Sequence, residues 1–498
     1  MKLKSFLAKP YAAIIHARVR KGMLTAVKDQ EDTLRGLLRT ASNTAFGKDH
    51  KLSADMNYPD FRNAVPLRDY EDFKPYIDRV KAGGVDILWK GKPIYFAKTS
   101  GTTSGAKYIP ITKESIPHHI NGARNALLCY MAETGNTVFA DGKMIFLSGS
   151  PEMEDTNGIP TGRLSGIVNH FIPRYLRGSQ MPRYETNCIE DWETKLDKIV
   201  AETINRDMTL ISGIPPWVQM YFDWLSERSE GKKIKEIFPH LQVIVHGGVN
   251  FEPYKARLQE SLGGQVDMIE TFPASEGFFA FQDVPGGEGL LLNTNAGMFF
   301  EFVPAGEISL PTPTRLSLGE VKTGENYALI VSSNAGLWAY NIGDTVRFVS
   351  TNPYRLVVTG RVKHFISAFG EHVIAEEVEH ALKQAAEASA VRITEFTVAP
   401  MIQVNGEKPY HEWFIEFENE PARLPDFAAL LNESLKLKNI YYNDLITGGI
   451  LQPLKITLMK KNAFIDYMKS IGKLGGQNKV PRLGNDRKLA EALQPWVK

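Results

Sequence analysis

Three short segments hold most of the residues whose types and spacing could do chemistry. The first, residues 99–107, runs Thr99, Ser100, Gly101, Thr102, Thr103, Ser104, Gly105, Ala106, Lys107. Glycines and small hydroxyl residues let backbone N–H groups approach a polyphosphate, and Lys107 adds positive charge, so this is a phosphate-loop candidate. It is not the P-loop of nucleoside triphosphatases, because Ala106 stands where a glycine should precede the lysine and Tyr108 replaces the magnesium-binding Ser or Thr. The second segment, residues 271–279, carries one acid, Glu276, beside Ser275 in a loop rich in aromatics. Mg²⁺ takes one or two carboxylates plus substrate oxygens, which makes Glu276 the metal candidate. The third segment, Tyr340 to Asp344, puts a carboxylate directly after Gly343. An acid after a tight glycine turn can accept both ribose hydroxyls, so Asp344 is the ribose candidate.

Two further residues are substrate-pocket candidates. His246 ends an apolar run and is followed by Gly247 and Gly248, and open α/β sheets bind ligands beyond the carboxyl ends of their strands. Trp217, after Gly213, Ile214, Pro215 and Pro216, could line a pocket, with ordinary core packing as the competing reading.

The elements that must position these residues read as α/β layers. Apolar runs at 93–97, 144–147, 208–211, 241–245, 328–331 and 356–358 have the length and flanking Gly, Ser or Pro of buried strands. Helical patterns lie between several of them, for example 192–204 behind Asp191 as N-cap. Residues 11–46 predict a packing helix or helix pair, with Ile15, Val19, Met23 and Val27 as one apolar stripe. The expected organisation is a large N-terminal domain at 1–361, a hinge at 362–365, and a smaller, mobile α+β domain at 366–498. The second domain opens on a helix with Ile374, Val378, Leu382 and Ala385 on one face. Near its end the polar, glycine-rich stretch 472–479 predicts a mobile loop.

Composition sets outer limits. Lys plus Arg number 58 against 57 for Asp plus Glu, which leaves no global field for wrapping nucleic acid, so any anion site is local. The two cysteines, Cys129 and Cys188, have neither disulfide-framework nor zinc spacing. Lys9-Pro10, His16 and Arg18 break up the N-terminal apolar stretch, and nothing approaches the roughly 18 apolar residues of a membrane span. The expectation is a cytoplasmic protein with no nucleic-acid or membrane partner.

In order and spacing, the three segments resemble the ANL superfamily of acyl-CoA synthetases, peptide-synthetase adenylation domains and luciferases. Gly360-Arg361 with Gly370 and Glu377-Val378-Glu379 is similar to that superfamily's hinge and following helix. The closer resemblance, over nearly the whole chain, is to the Gretchen Hagen 3 branch of acyl-acid amido synthetases and its bacterial relatives. It rests on the loops, on Thr44-Ala45-Phe46-Gly47-Lys48, on Val65-Pro66 with Tyr70 and Tyr76-Ile77, and on Gln477-Asn478-Lys479-Val480-Pro481-Arg482.

The resemblance implies an ATP- and Mg²⁺-dependent ligase that adenylates a carboxylic acid and passes the acyl group to an amine, with an amino acid as the expected acceptor. It implies that Ser100, Gly101, Thr102, Thr103 and Lys107 line the ATP phosphates, and that Ser275 and Glu276 flank nucleotide and Mg²⁺. Asp344 would bind the ribose, Arg361 would contact the nucleotide and Lys479 would reach its phosphate, with Lys107, Glu276 and Lys479 as the catalytic set. Phe272-Pro273, Ile342 and Lys363 depart from the superfamily pattern. The alternatives are an acyl-CoA ligase and a nucleotide-binding module without turnover.

Overall fold

The apolar runs become the central strands of one large sheet. In the computed structural model, which describes residues 3–99, 107–189, 191–248, 251–362, 365–366, 373–401, 408–447, 451–475, 478–484 and 486–498, the chain divides into two units. The first takes Met1–Pro304, Leu310–Ile342 and Arg347–Val357, and the second takes Ala305–Ser309, Gly343–Val346 and Val358–Lys498.

Among the described residues the large sheet has eleven strands. Their order across the sheet is Met298–Pro304, Asn326–Ser333, Tyr340–Thr351, Tyr354–Arg361, Leu290–Leu292, Gly277–Phe281, Asp267–Ala274, Val243–Gly247, Met208–Ser212, Lys143–Phe146 and Gln180–Met181. The strands Lys143–Phe146, Met208–Ser212, Val243–Gly247 and Asp267–Ala274 run parallel. Parallel neighbours need crossover connections, and helices Trp192–Thr203, Pro215–Arg228 and Glu252–Leu262 supply them. Asp191 caps the first of these helices by accepting the N–H of Thr194 at 2.9 Å, the start that the sequence pattern predicts. All four parallel strands therefore point their carboxyl ends the same way, which gathers Ser148, Gly213, His246 and Ser275 at one end of the sheet.

A second, four-stranded sheet contains Tyr95–Thr99 paired antiparallel with Lys107–Ile111. At the outer edge of the large sheet, Gln30 of helix Ala26–Ala41 donates to the carbonyls of Thr294 and Met298 at 2.7 and 2.8 Å, and accepts the N–H of Phe300 at 2.7 Å.

Two expectations change. The segment 271–279 is not a loop: it forms the end of Asp267–Ala274 and the start of Gly277–Phe281, with only Ser275 and Glu276 in the turn. The stripe Ile15, Val19, Met23, Val27 is not continuous either. Helix Leu3–Met23, which runs through Pro10, ends before Leu24-Thr25, so Val27 belongs to the next helix and is 38% exposed.

The second unit is α+β, with a sheet ordered Arg392–Met401, Tyr410–Asn419, Lys455–Leu458. Helix Ala375–Ala388 buries Val378, Ala381, Leu382 and Ala385 against Phe396, Trp413 and Leu431. Val378, Leu382 and Ala385 are on the expected face, whereas Ile374 precedes the helix as its N-cap in the short strand Val373–Ile374; full burial of one Leu or Val contributes about 1.5–3 kcal/mol. Among the described residues no helix is long and apolar enough to cross a membrane.

Candidate active site

Ser100, Gly101, Thr102 and Thr103 lie outside the described residues, but both strands that hold their loop are defined. Thr99 faces Lys107 in antiparallel register, so the two ends of the loop are fixed opposite each other. Lys107 extends its ammonium over the Tyr70 ring, 5.7 Å from the centroid, and the N–H of Tyr108 donates to the Tyr70 phenol oxygen at 2.9 Å. Tyr70 is the first residue of helix Tyr70–Lys81, placed there by a reciprocal cap between Asp69 and Asp72. Burial raises the Tyr70 phenol pKa, which keeps it neutral beside the loop.

Behind this helix, Phe46 stacks between Phe73 and Trp338 at centroid distances of 5.9 and 5.8 Å. The short helix Ala45–Asp49 that carries Phe46 needs Gly47, where any Cβ would fall 1.9 Å from the carbonyl oxygen of Ala41. Two of the resemblance motifs are thus one support, in which Phe46 packs Phe73 and the same helix presents Tyr70. Tyr70 was a motif residue in the sequence, and the capping pattern before it was the signal that it begins a helix. Tyr70→Phe strips the Tyr108 N–H of its acceptor, a change costing about 1–3 kcal/mol when the donor is buried. The expected result is a several-fold rise in KM for ATP at nearly unchanged kcat. An unaltered KM would remove Tyr70 from loop positioning.

At the carboxyl end of the parallel strands, Ser275 is buried in the turn and Glu276 half-buried beside it. A Cβ at Gly277 would meet the Met298 sulfur at 2.1 Å, so any larger residue there must displace that side chain. His246 is 5% exposed and stacks on Phe251 at 4.1 Å. Burial pushes its pKa down to about 4, so the ring is neutral, and its Nδ1 has no hydrogen-bond partner among the described residues. Trp217 instead packs on Trp192 at 4.8 Å between crossover helices and is 5% exposed.

One residue at this strand end escaped the sequence reading. Lys195 is buried, and its ammonium donates to the carbonyls of Ser148 and Asn187 at 2.9 and 2.7 Å. Burial, then Arg163, lowers its pKa to about 8. A lysine in a helical pattern carries no sign that its tip is buried.

Within the second unit, Asp344, Arg361 and Lys479 form one electrostatic group. Arg361 Nε donates to Asp344 at 2.9 Å. Gly343 has φ of +87°, a left-handed conformation that favours glycine, and its carbonyl accepts the N–H of Val362 at 2.7 Å. Lys479 keeps water-accessible surface although protein surrounds it. This crowding, followed by repulsion from Arg361, drives its pKa down toward about 8, and attraction to Asp344 opposes the fall.

Lys479 precedes a tethered segment. Val398 N–H donates to the Arg482 carbonyl at 3.0 Å, Thr397 to that of Pro481 at 2.6 Å, and Arg482 pairs with Glu395 while lying over the Phe396 ring at 4.7 Å.

Among the described residues no group of three or more His, Cys, Asp or Glu could hold a metal on its own. The donor set fits Mg²⁺ arriving on a nucleotide, where one carboxylate and phosphate oxygens complete the shell.

Models of the GH3 family N-terminal, central and C-terminal domains match residues 16–182, 291–361 and 376–488. The chain is 23% identical to the jasmonoyl–L-amino acid synthetase JAR4 of Nicotiana attenuata, across 65% of this chain and 66% of that protein. It is 22% identical to the probable indole-3-acetic acid-amido synthetase GH3.1 of Arabidopsis thaliana, across 94% and 91%. Among solved structures it is similar to the GH3.15 acyl acid amido synthetase, with a TM-score of 0.79 at 18% identity over 96% of this chain and 95% of that one. It is also similar to a 2-hydroxyisobutyryl-CoA ligase, with a TM-score of 0.57 at 12% identity over 97% and 90%. At those identities the structural likeness establishes the fold, which is that of adenylating ligases.

Proposed function

Because the chain belongs to the GH3 family, we propose that it is an ATP-dependent ligase that activates a carboxylic acid as its acyl-adenylate and joins the acyl group to an amine, with an amino acid as acceptor. The observation that carries this reading is the match of all three family domain models, in order, along one chain. The two curated relatives described above, named for joining jasmonic or indole-3-acetic acid in amide linkage, support the reaction class.

In the first step the acid's carboxylate oxygen attacks the α-phosphorus of ATP, the bond to the β-phosphate oxygen breaks, and pyrophosphate leaves. Lys107 and Lys479 are assigned to the negative charge that shifts onto the phosphates, where fixed cations are most effective. Glu276 is assigned to Mg²⁺, which when bound neutralises phosphate charge and polarises the phosphoryl oxygens. Asp344, oriented by Arg361, is assigned to the ribose, and Ser100, Gly101, Thr102, Thr103 and Ser275 to the surrounding nucleotide contacts. His246, neutral and with a ring nitrogen unpaired among the described residues, is assigned to the acid pocket. In the second step the amine attacks the activated carbonyl, AMP departs with the bonding electrons, and the amine loses its proton. We assign residues 1–361 to adenylation and 366–498 to a lid turning about 362–365, since lid motion commonly reassembles a site between half-reactions.

The test is mass spectrometry of products from a panel of acids with ATP, Mg²⁺ and either amino acids or coenzyme A. Amide, AMP and pyrophosphate are expected in the amino-acid arm. Acyl-CoA without any amide would replace this reading with a CoA ligase, and absence of acid-dependent ATP–pyrophosphate exchange would replace it with a binding module.

A further inference from the structure

Helix Leu3–Met23 has two apolar faces, and the fold uses only one. Its inner face places Ala12 and Ile15 in the core with Ala126, Tyr130 and Phe281, and Ala8, Val19 and Met23 pack partly against them. On the outer face Phe6, Leu7, Tyr11 and Ile14 are 63, 57, 42 and 52% exposed. At about 100° per residue these four, with Pro10 and Ala17, occupy a single continuous stripe.

Charge says what can cover that stripe. No Asp or Glu occurs before Asp29, while Lys4, Lys9, Arg18, Arg20 and Lys21 all lie on the helix. Lys9 and Arg20 fall along one edge of the stripe and Lys4 just past the other, while Arg18 shares the azimuth of Leu7 and Tyr11 and Lys21 continues the stripe's midline one turn beyond Ala17. Lys4 is held by Ser179 at 2.7 Å and His16 by Glu133 at 2.7 Å. Lys9, Arg18, Arg20 and Lys21 form no ion pair among the described residues. A second copy packed on this face would set basic edges against basic edges, with no acid on the helix to offset them. An anionic surface meets both demands at once, taking the apolar side chains below its headgroups and the cations at their level.

We propose that helix Leu3–Met23 docks the protein, lying in the plane of the interface, on anionic lipid membranes. No span is required, only a helix with aromatic and aliphatic residues on one side, lysines and an arginine at its rims, and long basic side chains at its C-terminal end that can reach up to the headgroups.

The experiment is cosedimentation of the full chain with vesicles of phosphatidylcholine alone and of phosphatidylcholine mixed equally with phosphatidylglycerol. Binding to the mixed vesicles is expected, at least about tenfold above the neutral ones, because basic residues near an anionic surface each add attraction. The doubly substituted Phe6→Ser/Ile14→Ser protein should lose most binding to both vesicles. Lys9→Glu/Arg20→Glu should lose the preference for the anionic ones. All four residues are exposed, so ATP–pyrophosphate exchange in vesicle-free buffer should stay at the wild-type level and serve as the control for folding. No sedimentation with mixed vesicles overturns the proposal, as does binding that neither variant alters. Light scattering provides the remaining arm: a wild-type dimer that Phe6→Ser/Ile14→Ser converts to monomer would show that a second copy covers the face.

Discussion

Lys479→Ala is expected to lower acid-dependent ATP–pyrophosphate exchange by about 10²–10³, the loss that follows removal of one preorganised charge-stabilising donor. Such a donor is effective because its position is set before the reaction. Here the residues that follow Lys479 are tied down by Arg482 and by the bonds from Thr397 and Val398. Stability should barely change, because Lys479 is exposed and forms no core contact. The substitution therefore separates chemistry from folding. The pH profile adds a second signature. An ammonium is charged below its pKa, and that of Lys479 is lowered in the fold, so kcat/KM for ATP should decline on the alkaline side at a lower pH than an ordinary lysine would give. Lys479→Arg, whose guanidinium stays charged far above it, should flatten the alkaline limb whatever it does to the plateau. Exchange at the wild-type rate in Lys479→Ala would remove this residue from the chemistry.

The second large effect is on stability. Glu301 is wholly buried, and Arg315, 5% exposed, grips it with Nε and Nη2 at 2.9 Å each while Nη1 donates to the carbonyl of Arg62 at 3.0 Å and also to that of Val65. Tyr58 donates to the same carboxylate at 3.2 Å. Burial raises the Glu301 pKa, and Arg315 opposes the rise. Arg315→Met removes the cation and leaves the acid stranded in the core. Breaking such a pair from one side costs about 3–5 kcal/mol, whereas exchanging both partners for apolar residues is often neutral. Urea unfolding, read as the shift of midpoint at constant slope, should therefore show a large loss for Arg315→Met and substantial recovery for Arg315→Met/Glu301→Leu. A single-variant loss below about 1 kcal/mol would mean the pair is not what ties the Tyr58–Ala64 helix to the sheet.

What could be read from the sequence followed periodicity and local chemistry. The run at 208–211 lies within strand Met208–Ser212, and Asp191 caps the helix expected behind it, because burial on both faces and a cap oxygen leave marks a few residues long. The acids in the Gly- and Ser-bearing turns stood out for the same reason. The hairpin through Ser275 and Glu276 was misread because its aromatics extend across both strands and only two residues turn. Contacts between layers leave no periodic trace at all. Glu301 and Arg315 are 14 residues apart and Tyr70 reaches Tyr108 across 38, spacings that no helix or strand repeat selects. Helix Leu3–Met23 hid its second face differently, since apolar residues on opposite sides cancel in any single-stripe pattern, and only the inner one was seen.

The edges of the large sheet bear on how this protein behaves at high concentration. A sheet ends where backbone donors and acceptors run out of partners, and a bare edge recruits strands from other molecules. On one side the last strand, Gln180–Met181, is too short to template anything. On the other side, along Met298–Pro304, Gln30 takes the Met298 carbonyl and the Phe300 N–H. Phe302 exchanges both of its backbone bonds with Leu316 at 2.9 Å each, and Pro304 has no N–H to offer. One glutamine amide and one bridge thus occupy the positions a foreign strand would need, so the sheet stays closed to edgewise aggregation without closing into a barrel.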